Sequence, residues 1–232
     1  MCLEEKETEI YVMVRALIFD LDGTLADTIY GIQKALNIAL LRYSVGEKSY
    51  SEVRAAVGGG AKNLLKQFLP DDICDDEKAF SEALLFYNST YAKTCLDIEE
   101  GYDEVAETLS ELKRRGYKMA VLSNKPDEYT RGITDKLFGA FSVFDVVLGQ
   151  RDDVPLKPSP TVPLAIARAL GVSADECAFV GDSEVDYMTA KNAGMYSVLC
   201  TYGYRDRDAL QKLGASLMID KFSELLSKFR GV

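Results

Sequence analysis

Ala16-Leu-Ile-Phe-Asp20-Leu-Asp22-Gly23-Thr24-Leu-Ala-Asp27 is the stretch that decides how this chain folds. It starts inside a mostly apolar run, Val12 to Phe19, with β-branched residues, and such runs suit a parallel strand covered on both faces. The run stops at two carboxylates two residues apart. Open α/β sheets bind ligands at the carboxyl ends of their strands, so Asp20 and Asp22 stand at a place suited to chemistry. Gly23 permits a tight turn, and the amides beyond it can face an anion. Aspartates and a glycine also make ordinary turns, but the whole hydrophobic-DxDGTLxD run is more than a turn requires.

Working outward, strand-like runs recur at Lys118 to Leu122, Val143 to Leu148, Cys177 to Val180 and Tyr196 to Leu199, with a weaker one at Ser216 to Ile219. Amphipathic helical patterns separate them, at Tyr102 to Arg115, Glu128 to Leu137, Thr161 to Leu170 and Asp186 to Asn192. This alternation predicts an α/β fold, a three-layer Rossmann-like sandwich with a mainly parallel sheet. Residues 26–94 break the rhythm and read as helices, at Thr28 to Leu41, Tyr50 to Val57, Ala61 to Phe68 and Asp76 to Tyr91. They are expected to form a helical cap (26–94) inserted into a core of residues 1–25 and 95–232, at a loop where insertion is tolerated.

Composition bounds the function. With 232 residues, 47% of them hydrophobic, the chain can bury a core and an accessory domain. A formal charge of −10 disfavours nucleic acid and anionic lipid as partners. The one basic cluster, Lys113-Arg114-Arg115 before Gly116, suits a helix C-terminus. Five scattered cysteines without CxxC spacing point to reduced thiols and a cytoplasmic protein. The absence of histidine excludes Ser-His-Asp and Cys-His catalysis and any histidine-ligated metal. No apolar run approaches the roughly 20 residues of a membrane helix, and the N-terminus is too acidic for a signal peptide. Monomer and homodimer both stay open.

Three further clusters follow strand-like runs. In Val180-Gly181-Asp182-Ser183-Glu-Val-Asp186, Asp182 and Asp186 can complete with Asp20 the oxygen-rich site that Mg²⁺ prefers; equally, Asp186 can be a helix N-cap and Asp182 a turn residue. In Ser123-Asn124-Lys125 the hydroxyl and a nearby amide can bind a phosphoryl oxygen, or cap a helix. Lys157 sits in the proline-stiffened loop Arg151 to Pro160 and gains meaning from its companions.

Four signals after four strands, in this order, resemble the haloacid-dehalogenase-like superfamily of aspartate-nucleophile phosphatases, whose pattern is DxDGT, Ser/Thr, Lys and GDxxxD. The resemblance covers nearly the whole chain, and the helical block matches the family's small cap. It implies that Asp20 attacks phosphorus to form an aspartyl-phosphate and that Asp22 protonates the leaving oxygen and later deprotonates water. It implies that Ser123, Asn124 and Lys157 hold phosphoryl oxygens. Mg²⁺ would lie on Asp20, the Asp22 backbone carbonyl and Asp182, with Asp186 ligating it or orienting a water and Lys157. Ser183 would support its loop, and Thr24 would support the loop or orient Asp22. The second aspartate of DxD argues against the carbon-attacking dehalogenase branch.

Within the family, Val57-Gly58-Gly59-Gly60-Ala-Lys62 and the tract Gly181 to Gly194 resemble phosphoglycolate phosphatases, which implies a small phosphorylated metabolite as partner and makes Gly58, Gly59, Gly60 and Lys62 candidate specificity elements. A flexible connector between helices would also contain such glycines. Where that branch tends to carry Tyr-Pro-Gly before the next helix, this chain has Ile98-Glu-Glu-Gly101, a departure expected to loosen closure and to disfavour an anionic organic substrate. An inorganic pyrophosphatase or a broad sugar-phosphate phosphatase is the alternative enzyme. A phosphomutase is disfavoured by the missing cap histidine, and a non-catalytic scaffold by the survival of both aspartates.

Overall fold

The computed structural model describes residues 14–98 and 101–232. Val12 and Met13 of the first predicted strand, and Glu99 and Glu100 of the second linker, lie outside the described residues. Six strands form one sheet: β1 (Ala16–Phe19), β2 (Lys118–Pro126), β3 (Val146–Gln150), β4 (Cys177–Gly181), β5 (Tyr196–Cys200) and β6 (Leu217–Ile219). Their order is β3-β2-β1-β4-β5-β6, and every pairing is parallel. Between β1 and β2 come α1 (Ile29–Leu41), α2 (Tyr50–Ala56), α3 (Gly60–Lys66), α4 (Asp71–Asp75) and α5 (Glu77–Thr94). The remaining helices are α6 (Val105–Arg114), α7 (Asp127–Phe138), α8 (Thr161–Leu170), α9 (Glu184–Ala193), α10 (Arg207–Gln211) and α11 (Leu225–Lys228).

The apolar run of β1 follows from its position. Successive side chains of a strand face opposite ways. Leu17 and Phe19 join a core with Leu109 and Leu112 of α6 and Ile133 of α7, whereas Ala16 and Ile18 join a second core with Ile166 of α8 and Ala190 of α9. Both faces of the strand are therefore dry, and no polar residue is tolerated until its end. Helices on two faces of one sheet give the three layers.

The inserted helices have a core of their own, built from Ile29, Leu36, Leu40, Val53, Leu65 and Tyr87 among others. The α1 and α5 backbones approach closely because residue 31 is glycine: a Cβ there would lie 2.6 Å from the Thr94 carbonyl oxygen. Thr94 Oγ1 donates to the Gly31 carbonyl at 2.9 Å across the same contact. At the start of α2, Ser49 accepts from the Glu52 amide while the Glu52 carboxylate accepts from the Ser49 amide at 2.8 Å, a reciprocal cap.

Some boundaries differ from expectation. The third strand begins at Val146, not Val143. Ser142 turns the chain with φ of 48°, and the apolar Val143 fills the core before the strand starts. The five-residue helices α4 and α10 were not foreseen, being too short for periodicity to register. Cys74, Cys95, Cys177 and Cys200 are all free thiols. Among the described residues no helix is long and apolar enough to cross a membrane.

Candidate active site

The strand order reverses at β1, so the connections leaving β1 and β4 part in opposite directions and open a crevice at the carboxyl end of the sheet. The Asp20 amide donates to the Val180 carbonyl at 2.9 Å, which extends the ladder one residue past β1 and fixes Asp20 at the crevice floor. The chain then curls tightly: the Leu25 and Ala26 amides donate to the Leu21 carbonyl at 3.0 and 3.2 Å, and the Gly23 amide to the Ala26 carbonyl at 2.9 Å. Gly23 has φ of 83°, and a Cβ there would run into the Asp182 carboxylate. Only glycine satisfies both demands.

Lys157 joins the two carboxylate clusters. Its Nζ lies 2.8 Å from Asp20 Oδ1 and 2.7 Å from Asp186 Oδ1. The second oxygen of Asp186 accepts from the Ser183 hydroxyl at 2.6 Å and from the Ser183 and Asp182 amides at 3.1 and 3.2 Å. The N-cap of α9 is thus Ser183, with Asp186 as its third residue in a reciprocal capping arrangement; Asp186 is not itself the cap. Asp182 Oδ2 accepts from the Tyr204 amide at 2.5 Å.

Asp20, Asp182 and Asp186 each offer an oxygen within 4.8 Å of the others, and all three are buried. Three carboxylates face one ammonium, and the electrostatics show the imbalance. Burial raises Asp20 to about 7; the nearby Lys157 charge opposes this, while those of Asp186 and Asp22 reinforce it. Asp182 is pushed well above the carboxylate range by burial and by the charges of Asp186 and Asp20. For Lys157 burial works the other way, yet Asp186 and Asp20 hold its ammonium above the ordinary value. A divalent cation fits this site on two counts: it offsets the surplus negative charge, and the donors are hard oxygens. Both Asp186 oxygens already have protein partners in Lys157, Ser183 and the Asp182 amide, whereas Asp20 and Asp182 each have one oxygen so engaged.

Asp22 points to a different set of partners. Its Oδ1 lies 2.7 Å from Lys125 Nζ and also accepts from the Thr28 hydroxyl. Tyr204, in the connection after β5, donates its hydroxyl to the network, lying 3.3 Å from Asp27 Oδ1 and accepting from the Thr28 amide at 2.8 Å. Thr24, expected to support the loop or orient Asp22, makes no such contact. It is fully buried, and its hydroxyl has no partner among the described residues. Orientation of Asp22 falls to Thr28 and Lys125.

Ser123 is buried and lines the crevice near Asp20. It lies within β2 and caps no helix, and its hydroxyl accepts from the Lys125 amide at 3.2 Å, the local turn contact that is the alternative role of such a serine. Asn124 faces the other way: its side-chain amide donates to the carbonyls of Lys157 and Gly58 at 3.1 Å each and accepts from the Lys157 amide at 2.9 Å. That side chain holds Lys157 in place, so any phosphate contact at Asn124 falls to its backbone.

The inserted helices roof the crevice, leaving a cavity of about 60 Å³. At about 10–15 Å³ per water-sized occupant, this holds a small molecule only. Gly58 and Gly60 line it, with Ile32, Leu64, Tyr87 and Tyr91 supplying an apolar ceiling. Gly59 does not; it precedes α3 as its N-cap. Lys62 is exposed and outside the lining, so the charge expected from it is not delivered there. Arg205 donates to the Val57 and Arg54 carbonyls at 2.7 and 3.2 Å, and Arg54 to the Gly203 carbonyl at 2.7 Å, tying roof to core.

Lys125, Thr28, Tyr91, Tyr204 and Arg205 escaped the sequence reading. A signal existed for one of them. Lys125 is two residues past Ser123, within the same strand-end segment, and lines the same cavity. Nothing local marks the others, which reach the site by tertiary folding.

Comparison with known proteins agrees with the geometry. The chain matches the family described as haloacid dehalogenase-like hydrolase over residues 14–194. It is 35% identical to a phosphoglycolate phosphatase of Colwellia psychrerythraea, over 97% of this chain and 98% of that one. It is 34% identical to a phosphoglycolate phosphatase of Rhodospirillum rubrum, over 92% and 90% respectively. Among solved structures, a predicted phosphoglycolate phosphatase from Haemophilus somnus superposes with a TM-score of 0.84 at 28% identity, covering 93% of this chain and 97% of that one. A fold with strand-end carboxylates at its switch point, matched along most of its length by one family, places this protein in the haloacid dehalogenase-like hydrolases.

Proposed function

We propose that the protein is a Mg²⁺-dependent phosphomonoester hydrolase of the cytoplasm that works through an aspartyl-phosphate on Asp20, and that its substrate is a small ester such as 2-phosphoglycolate. The observation that carries the reading is Asp20 at the switch point, held through one oxygen by Lys157 within a cluster of surplus negative charge. Asp20 attacks phosphorus through one carboxylate oxygen and the ester oxygen departs in line, taking its proton from Asp22. Asp22 then removes a proton from water, which attacks the aspartyl-phosphate, releases inorganic phosphate and restores Asp20. Lys157 and the Ser123 hydroxyl stabilise the phosphoryl oxygens.

Asp20, Asp182 and the Asp22 backbone carbonyl would hold Mg²⁺, with Asp186 close by to ligate it directly or to position Lys157 and a water. The ion supplies charge neutralisation at the phosphoryl group. Residues 26–94 act as the cap, whose Gly58 and Gly60 backbone closes over the substrate and excludes bulk water. The size of the cavity and the relatives at 31–35% identity that are phosphoglycolate phosphatases support 2-phosphoglycolate.

The test is phosphate release, with Mg²⁺, from 2-phosphoglycolate, pyrophosphate, hexose phosphates and nucleotides. A dominant rate on 2-phosphoglycolate is expected. A flat or pyrophosphate-led profile removes the substrate but leaves the chemistry, and no release by folded protein removes both.

A further inference from the structure

Two of the three cations lining the cavity are engaged elsewhere. Lys157 is held between Asp20 and Asp186, and Arg205 donates to Glu184 and to the carbonyls of Arg54 and Val57. The third is Lys125, whose side chain is only 4% exposed. An ammonium has three N–H donors. One of those on Lys125 meets Asp22 Oδ1 at 2.7 Å and another the Tyr91 hydroxyl at 2.7 Å, and the Tyr91 ring centroid lies 5.0 Å away. Among the described residues the third donor has no partner, and the residue borders the cavity. Burying an ammonium so deeply is costly without full pairing, which makes an incompletely partnered one at a cavity wall a place for an anion.

Its location says which anion. Under the proposed reaction, Asp20 meets phosphorus and Asp22 meets the leaving oxygen. A cation in contact with both Asp22 and Tyr91 of the helical ceiling stands beside whatever the leaving oxygen is attached to. The ceiling itself supplies no charge there, since Ile32, Leu64, Tyr87 and Tyr91 are uncharged and Lys62 is outside.

We propose that Lys125 is the recognition cation for an anionic group, a carboxylate close to the ester oxygen, on the leaving portion of the substrate. The inference rests on the phosphohydrolase reading and deepens it. Tyr91 belongs to α5, so the ammonium that would meet the carboxylate also touches the helical cap.

The experiment compares kcat/KM for 2-phosphoglycolate with that for ethyl phosphate, which has the same number of carbons and no carboxylate. The wild-type protein is expected to prefer 2-phosphoglycolate, and Lys125→Met to reduce that preference about 30-fold or more. Lys125→Gln, which keeps a donor for Tyr91, should lose the preference too while guarding against a folding artefact. In parallel, calorimetric titration of both esters into Asp20→Asn and into Asp20→Asn/Lys125→Met reads recognition without turnover, and the selective loss should reappear. A wild-type preference that survives in both Lys125 variants overturns the assignment and leaves the substrate standing. A wild-type protein that hydrolyses both esters equally overturns substrate and assignment together but not the phosphatase. If neither ester is hydrolysed and neither titrates, the proposed function fails first.

Discussion

On the core side of the cavity Asp182, Asp186 and Lys157 are each held by backbone amides or by buried ion pairs: Asp182 by the Tyr204 amide, Asp186 by two amides, a hydroxyl and an ammonium, and Lys157 by Asp20, Asp186 and the Asn124 side chain. On the cap side the wall is apolar, and its polar ties to the core are scattered and mostly long-range: Lys125 to Tyr91, Asn124 to Gly58, Arg54 and Arg205 to carbonyls across the gap, the Tyr129 hydroxyl to the Asn88 carbonyl at 3.1 Å, and Thr28 to Asp22 and Tyr204. One wall is over-determined and the other lightly fastened. The difference separates two tasks. Charges that must meet a transition state are fixed in advance, whereas a surface that admits and releases the substrate has to move.

The largest effect expected from this division is at Asp20. Replacing it with Asn removes the nucleophile, so steady-state phosphate release should fall by about 10⁴-fold or more. The metal-free protein should melt at the same temperature or higher, because one of three crowded buried carboxylates has been neutralised. Measurable turnover in a pure D20N preparation would remove Asp20 from its role. A lower melting temperature would show instead that the core wall depends on that charge for its fold.

Next in size is Asp182→Asn. The carboxylate offers an oxygen to the cation site while the other is held by Tyr204. Losing the charge should raise the Mg²⁺ concentration for half-maximal activity by about 10–100-fold or beyond, since even indirect partners of a metal carry that much. An unchanged titration would place the ion elsewhere.

A pair of glycines compares the walls directly, by stability. Gly23 and Gly60 have nearly the same backbone, φ of 83° and 81°. An added methyl at 23 strikes the fixed Asp182, but at 60 its nearest neighbour is the Asn124 carbonyl oxygen at 3.4 Å, ordinary contact. Gly60→Ala should cost about 1–2 kcal/mol from conformation alone, and Gly23→Ala roughly 2–4 kcal/mol, read by urea unfolding. Equal losses would mean that Asp182 yields freely, and the core wall would no longer count as rigid.

The same division explains what could be read from the sequence. Asp20, Asp22, Ser123 and Asp182 each lie in or just after a run of buried residues, a local property of sequence, whereas Lys157 follows an exposed loop and Asp186 sits in the first turn of α9, so those two gain meaning only beside the others. The sheet was legible for the same reason, down to the boundaries of α8. The cap's contribution was not. Tyr204 reaches Thr28 across 176 positions, and Lys125 reaches Tyr91 across 34, so their meeting depends on how residues 29–94 fold back over the sheet. Gly58 and Gly60 were recognised from their pattern, but Lys62, which shares it, points to solvent because α3 turns it outward.

Arg205 supplies the smallest and most discriminating test. Its guanidinium completes the end of α2, where carbonyls lack helical partners, and it does so beside Gly58. Its ion pair with Glu184, whose side chain is 54% exposed, adds little, because exposed pairs are screened by solvent. Arg205→Ala should therefore lower stability by no more than about 1 kcal/mol and raise KM for the preferred ester by about 3–10-fold, with the larger share of the loss in KM. Glu184→Gln should do much less, since it leaves the carbonyl bonds intact. Suppose instead that Arg205→Ala depressed kcat nearly as far as Asp20→Asn. Seating the cap would then be part of the chemical step, and a wall held by such scattered bonds would have to be counted among the fixed parts of the site.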